Sequence, residues 1–265
     1  MVEFQGFGFG DLEHTNPIIR ALNFFCNFSY WMKMKDKKSI FALSRRGRKV
    51  VQKIDRYFSY DCFRQTTAFN IIKKYFKPKE NEVFDVLIIG DGYGFLSALI
   101  KDCYPQARIT LIDIGEVLIF QSVNLGRIYP NCTHSFINQN KDADFLYIPA
   151  DKIPADLERA FWLIVNISSM QEMNSQTIEF YFDFIRRHIG EENIFYSCNR
   201  ISKTLPAGEV IEFLKYPWKK EDKILLHETC PFYKYFFSYR WPFFHSFDGL
   251  FYHRIAQMHS EGSFK

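Results

Sequence analysis

The spacing of apolar positions changes character near residue 83. Before it the period is helical: PIIRALNFFCNFSYWMKM sets Ile18, Leu22, Phe25 and Phe28 on one face. Asn16 followed by Pro17 predicts an N-cap with proline at the first helical position. Two further helices are predicted through RKVVQKIDRYF and TTAFNIIKKYF, and Lys77-Pro78-Lys79 ends the pattern. From residue 83 short β-branched runs alternate with helical stripes. VFDVLIIG, ARITLIDI (107–114), DFLYIPA (144–150), FWLIVNISS (161–169) and NIFYSCN (193–199) read as buried parallel strands. Between them lie FLSALIKDCY, VLIFQSVNLGRIY and a helix capped by Asn174 or Ser175, with Ile178, Tyr181, Phe182, Ile185 and Ile189 as its apolar stripe.

This grammar predicts an open, doubly wound, mostly parallel α/β sheet with helices on both faces. It assigns residues 1–80 to a helical N-terminal cap region and 81–265 to the sheet domain. Beyond residue 205 the alternation stops. KILLHETC, YKYFFSYRW and GLFYHRIAQM read as strands, and Asp248-Gly249 as a hairpin turn, so an antiparallel C-terminal hairpin is expected at the sheet edge.

Composition narrows the function classes. Lysine and arginine number 34 against 30 acids, a net charge of +4, which makes nucleic acid an unexpected partner. No apolar run approaches the ~20 residues of a membrane-spanning helix, and the opening MVEFQGFGFG does not read as a secretory signal. The expectation is a cytoplasmic protein. The six cysteines show neither metal-ligand nor redox spacing, so reduced, mostly buried thiols and no metal are expected. The basic clusters KMKDKK (33–38) and RRGRK (45–49) read as solvated surface, with attraction to a phosphorylated ligand or anionic membrane as the alternative. Aromatic residues reach 18%; most are expected in the core, though sugar-binding clefts also use aromatic faces.

The chemistry concentrates at Gly90-Asp91-Gly92-Tyr93-Gly94, between a strand and a helix. Glycines there allow a tight turn and close backbone approach to a ligand. Nineteen residues beyond Gly94, at the end of the next strand, stands Asp113. In a doubly wound sheet those two strand ends are neighbours, so a carboxylate there can accept both hydroxyls of a ribose. A dinucleotide loop would carry a third glycine where this chain has Phe95. The spacing suits a compact amino-acid moiety better than a pyrophosphate.

The segments IIGDGYGFLSALI, LIDIGEVLIFQSVNL, LIVNISSMQEM, YFDFIRRHIG and FYSCNR, spread over residues 83–200, resemble the sugar O-methyltransferases, a branch of the class I S-adenosylmethionine-dependent methyltransferases. The resemblance implies a seven-stranded sheet with its last strand antiparallel and S-adenosyl-L-methionine as cofactor. It further implies that Gly90, Gly92 and Gly94 hold the methionine part, that Asp113 with Ile114 beside it holds the ribose, and that Pro149 to Asp151 lie near the adenine. The family's acid two residues before the first loop glycine is replaced here by Ile88, and Asp91 is the candidate substitute.

Methyl transfer to an alcohol needs the reactants aligned and the hydroxyl proton removed. The base is expected where the fourth strand ends, beside the cofactor methyl; Asn166, Gln171 and Glu172 occupy that region. Glu172 is the preferred base, with His227 and His245 as alternatives. Asn166 is expected against the cofactor, and Gln171 against the sugar. Asn199 and Arg200, ending the fifth strand, are expected at the rim of the acceptor cleft, where an arginine suits a carboxylate or phosphate. The expected reaction is O-methylation of a sugar or glycan precursor. A methyltransferase-fold protein that binds without reacting is the alternative that Ile88 raises, and a nicotinamide oxidoreductase is the third reading, opposed by Phe95.

Overall fold

The computed structural model describes residues 34–260 apart from 138–139, 141, 155–156, 238–240, 242–243 and 247–248, together with single positions between 18 and 32. Two helices lead in, α1 (Lys37–Gln52) and α2 (Tyr60–Tyr75). The alternating part then runs β1 (Phe84–Ile89), α3 (Phe95–Cys103), β2 (Ala107–Asp113), α4 (Gly115–Ile128), β3 (His134–Phe136), β4 (Phe145–Pro149), β5 (Phe161–Ile167), α5 (Ser175–Arg187) and β6 (Ile189–Arg200). It ends in short strands β7 (Ser202–Thr204) and β8 (Val210–Glu212), then β9 (Lys223–Thr229), β10 (Tyr235–Phe237), β11 (Phe244–Ser246) and β12 (Phe251–Gln257).

Eight strands form one sheet in the order β3-β4-β2-β1-β5-β6-β12-β9. Pairings from β3 across to β6 are parallel, and β12 is antiparallel to both its neighbours. The short edge strand β3, three residues long, is too brief to show in the apolar pattern; without it the sheet has seven strands, as expected. The reversal at β12 lets a chain that has run through five parallel crossovers close with a hairpin-like pair instead of another helix. The central strands read as unbroken apolar runs because both faces are covered: all six residues of β1 are buried. One face packs on α1 to α4, with Ile40, Phe69, Leu99 and Leu125 in a shared core, and the other on α5 through Ile178, Phe182 and Ile185.

Several local expectations change. α2 begins at Tyr60, six residues before the predicted segment, because Ser59 accepts the Cys62 N–H and caps it. Ile189 belongs to β6, not to the stripe of α5; the remaining four positions of that stripe are buried and Asn174 caps the helix, accepting from Thr177 N–H at 2.8 Å. The strands flanking Asp248-Gly249 are not partners: β11 pairs with β10 in a separate ribbon while β12 joins the main sheet. Asp248 itself lies outside the described residues. The first predicted helix is helical at its described positions, yet Ile18, Phe25 and Phe28 are exposed; Asn16, Pro17 and Leu22 lie outside the described residues. α1 and α2, which the pattern groups in a cap region, share one continuous core with the sheet. No described helix is long and apolar enough to cross a membrane.

Candidate functional site

A strand order of 4-2-1-5-6 reverses direction between β1 and β5, and loops leaving those two strands diverge to opposite faces. Such a switch point opens a crevice beyond the carboxyl ends of the strands. A cavity of about 160 Å³ lies there. β1 and its loop contribute Ile88, Gly90, Asp91, Gly92 and Tyr93, and β5 with the turn after it contributes Val165, Ile167 and Ser168.

The loop follows from local sterics. Gly90, Gly92 and Gly94 all have positive φ, at +77°, +60° and +89°, a region costly for any side chain with a Cβ. The three differ in what surrounds them. A Cβ on Gly90 would sit 2.3 Å from Ser169 Cβ and Oγ, and one on Gly94 would stand 3.3 Å from the Leu125 side chain. Around Gly92 nothing lies within 4 Å of that position, so its bare main chain faces open space.

Asp113 ends β2 beside this loop. Its Oδ1 accepts the Ile114 N–H at 2.9 Å, and its Oδ2 accepts from Gln121 Nε2 at 2.8 Å. The same Gln121 nitrogen donates to Gly92 O at 2.9 Å, which ties the carboxylate to the glycine loop. Gln121 Oε1 is buried with no hydrogen-bond partner, an acceptor left over beside a carboxylate that keeps spare lone pairs on both oxygens. Burial, only partly offset by these donors, raises the Asp113 carboxyl to about 6. Ile114 is exposed next to it. Ala150 N–H donates to Asp113 O at 2.9 Å, which sets Pro149 to Asp151 at the same strand ends. Gly90 N–H donates to Ile112 O at 3.0 Å, so Gly90, Gly92, Asp113 and Ile114 are neighbours, with Asp151 following Ala150 in the chain.

Asp91 is used differently from the expectation. Its carboxylate accepts Leu96 N–H at 3.2 Å, Ser97 N–H at 3.0 Å and the Ser97 hydroxyl. It caps α3, where Gly94 at the N-cap has no side chain to do so. Burial raises this carboxyl to about 7. Its oxygens are engaged by the helix, although the residue also borders the cavity.

The residues at the ends of β5 and β6 satisfy one another. Asn166 Nδ2 donates to Ile89 O at 3.0 Å and to Ser169 Oγ, while its Oδ1 accepts from Asn199 Nδ2 at 2.8 Å. Asn199 Oδ1 accepts Gln171 N–H at 3.2 Å, and Gln171 Oε1 accepts Arg200 N–H at 2.8 Å. Asn166 and Asn199 are fully buried. This network stitches β1, β5, β6 and the 170–172 turn together; buried amides of this kind need all their partners inside the protein. Asn166, Gln171 and Asn199 are thus structural ties rather than open ligand groups, and Arg200 joins them through its main chain.

The three proton acceptors chosen from sequence also fall elsewhere. Glu172 is paired with Lys203 on β7, and its side chain is half exposed. His227 is exposed on the edge strand β9, stacked on Phe213 and accepting from Arg254 Nε at 3.3 Å; three strands separate that edge from β1. His245 sits in the β10–β11 ribbon. None is among the described residues lining the cavity. In their place the cavity has Asp61 and Gln65 from α2, Leu96, and Tyr233. Sequence reasoning passed over these because they sit in segments without strand–loop–helix grammar. A signal existed at Asp61: an acid in the first turn of the helix with Arg64 and Gln65 three and four residues on, a polar trio on one face.

No family model matches the chain, and no curated protein matches it. Among solved structures it is similar to a TehB-like SAM-dependent methyltransferase from Corynebacterium glutamicum, at 12% identity over 74% of this chain and 87% of that one, TM-score 0.44. It is similar to the PH0226 protein of Pyrococcus horikoshii, at 15% identity over 74% and 89%, TM-score 0.46. It is also similar to a SAM-dependent methyltransferase from Clostridium acetobutylicum, at 13% identity over 73% and 91%, TM-score 0.43. At such identities and scores the fold assignment rests on the sheet's own strand order. The fold is a doubly wound, mostly parallel Rossmann-like sheet with one reversed strand. Its last strand, β12, is antiparallel as the sequence resemblance implied; that β12 lies beside β6 with β9 outermost is decided by the structure.

Proposed function

We propose that the chain is an S-adenosylmethionine-dependent methyltransferase acting on a hydroxyl of a sugar or glycan precursor. One observation carries the cofactor half: open space at Gly92 and the carboxylate of Asp113 are held together by Gln121 at the β1–β2 strand ends. The residues fit the group. Two ribose hydroxyls can each donate to one Asp113 oxygen, Gln121 Oε1 is an unfilled acceptor beside them, and a Cβ at position 92 would fill the space the ligand needs. Gly90 to Gly94 would hold the amino-acid part, and Ile114 with Pro149 to Asp151 the adenine.

When bound, the cofactor supplies an electrophilic methyl on a sulfonium sulfur. The chain's own contribution is alignment and charge. Buried acids border the crevice at Asp61 and Asp91, and the half-buried Asp113 stands at the neighbouring strand end, an electrostatic setting that favours a cationic ligand. The acceptor half rests on the resemblance of residues 83–200 to the sugar enzymes. The second reading, a binding protein without transfer, draws support from Glu172 and His227 standing away from the cavity.

Calorimetric titration with S-adenosylhomocysteine tests the cofactor half: the wild-type protein is expected to bind and Asp113→Ala to lose most of the affinity. Absence of wild-type binding at millimolar ligand overturns it. Labelled methyl transfer across a panel of glycans and sugar nucleotides then separates the two readings, since binding without turnover on any acceptor favours the second.

A further inference from the structure

One wall of the cavity does not come from the sheet. α2 brings Asp61 and Gln65 to it. Asp61 is fixed from both sides: Arg64 Nη2 donates to Oδ1 at 2.7 Å and Gln65 Nε2 to Oδ2 at 2.7 Å. The Arg64 guanidinium lies over the rings of Tyr60 and Tyr233, 5.1 and 4.5 Å from their centroids. Because the Gln65 amide nitrogen is used on Asp61, the oxygen is what remains, and Oε1 is buried with no partner. Opposite, at the end of β5, Ser168 has a φ of +58° and its Oγ is also buried without a partner. The other lining residues are mostly apolar: Ile88, Leu96, Val165, Ile167 and Tyr233. None of the described lining residues is basic.

The cavity therefore offers a carboxylate with lone pairs to spare and two unfilled acceptors; its other acid, Asp91, is held by the donors of α3, and the remaining side chains are mostly apolar. Groups of that kind are satisfied by a cation carrying several N–H donors. Burial raises the Asp61 carboxyl above its usual range despite the Arg64 charge and both hydrogen bonds, as expected of an acid short of countercharge. Position along the sheet says which part of a ligand arrives there. Asp113 stands on the β2 side of β1, and this cavity stands on the β5 side, so a ligand with its ribose on Asp113 reaches the cavity with its opposite end.

Resting on the cofactor reading above, we propose that Asp61 and Gln65 seat the α-ammonium of the cofactor's amino-acid end. The N-terminal helix then supplies the acid that Ile88 does not, and α2 is part of the cofactor site rather than only a cover for the sheet. Asp91 is excluded from that duty by its three donors from α3.

The test is a calorimetric comparison using S-adenosylhomocysteine, its deaminated analogue, and 5′-methylthioadenosine, which lacks the amino-acid end altogether. Asp61→Asn keeps the shape and an acceptor oxygen but removes the charge. It is expected to weaken S-adenosylhomocysteine about ten- to a hundredfold, in line with a hydrogen bond to a charged group, and to leave 5′-methylthioadenosine unchanged. The deaminated analogue should bind wild type and Asp61→Asn alike, so the two losses do not add. Gln65→Leu, which preserves the Asp61–Arg64 pair, should show a smaller loss of the same selectivity. Equal affinity of wild type and Asp61→Asn for S-adenosylhomocysteine overturns the proposal, as does an equal loss for 5′-methylthioadenosine. A wild-type protein that binds none of the three overturns the cofactor reading itself, a separate result.

Discussion

Placing a methyl group at Gly90 or at Gly92 asks two different questions of the same loop. Both glycines have positive φ, so alanine at either position carries about 1–2 kcal/mol of left-handed backbone strain. At Gly92 that is the whole effect on folding, since the new Cβ meets nothing within 4 Å. At Gly90 the Cβ meets Ser169 at 2.3 Å. Ser169 cannot turn aside freely, because its hydroxyl donates to Ile89 O at 3.0 Å and accepts from Asn166. Overpacking of this kind adds about 1–3 kcal/mol, for a total of about 2–5 kcal/mol. At ~2–4 °C per kcal/mol for a chain near this size, Gly92→Ala should melt within ~2–8 °C of wild type and Gly90→Ala clearly lower. Binding should invert the order of interest. The Gly92→Ala methyl projects into the open crevice and should weaken S-adenosylhomocysteine tenfold or more, ~1.4 kcal/mol, in a protein that remains folded. Urea denaturation and calorimetry on the same preparations measure both. A Gly92→Ala protein with wild-type affinity would refute the placement of the ligand over this loop, and a Gly90→Ala protein as stable as Gly92→Ala would refute the packing argument.

Three further outcomes follow from groups already described. Burial raises the Asp113 and Asp91 carboxyls to about 6 and about 7 from 3.8; these acids hold protons in the fold where the unfolded chain has lost them, so their contribution to stability falls as pH rises from about 4 to about 7. Asp113→Asn should flatten the urea midpoint between about pH 4 and 6, and an unchanged slope would contradict the burial of that carboxylate. Gln121→Leu removes the donor shared by Gly92 O and Asp113 Oδ2, and is expected to cost about 1–3 kcal/mol in urea unfolding together with a loss of S-adenosylhomocysteine affinity; affinity retained in full would show that the brace is unnecessary. At the far side of the molecule Arg186 holds Asp222 through bonds of 2.7 and 2.8 Å, both side chains being buried. Burial alone would raise that carboxyl, but Arg186 and the N–H groups of His259 and Lys219 hold it below the usual range. Arg186→Met should therefore cost about 3–5 kcal/mol at neutral pH, less below about pH 4 where Asp222 is protonated in the unfolded chain; a loss independent of pH would point to packing alone.

The order strand, glycine loop, helix, strand, acid was readable without coordinates because each link is local. A β-branched run, positive-φ glycines and a terminal aspartate lie within thirty residues, and the handedness of parallel crossovers brings β1 and β2 side by side. That is why Gly90, Gly92, Asp113 and Ile114 are found together. Which polar side chains face a ligand is a different kind of fact. Asn166, Gln171 and Asn199 sit at the strand ends where site residues belong, yet they complete one another's hydrogen bonds across β1, β5 and β6. Whether a buried amide is satisfied inside the protein depends on partners contributed by other strands, and no pattern along one segment records that. Asp91 was diverted to helix capping for a similarly nonlocal reason: Gly94 left α3 without a side-chain cap. The cavity wall from α2 was decided only by packing, which folds Asp61 and Gln65 against strand ends some thirty residues and more further along the chain. Sequence periodicity determined the frame and its glycine loop; tertiary packing decided which acids line the crevice, because burial and hydrogen-bond satisfaction are properties of neighbours in space.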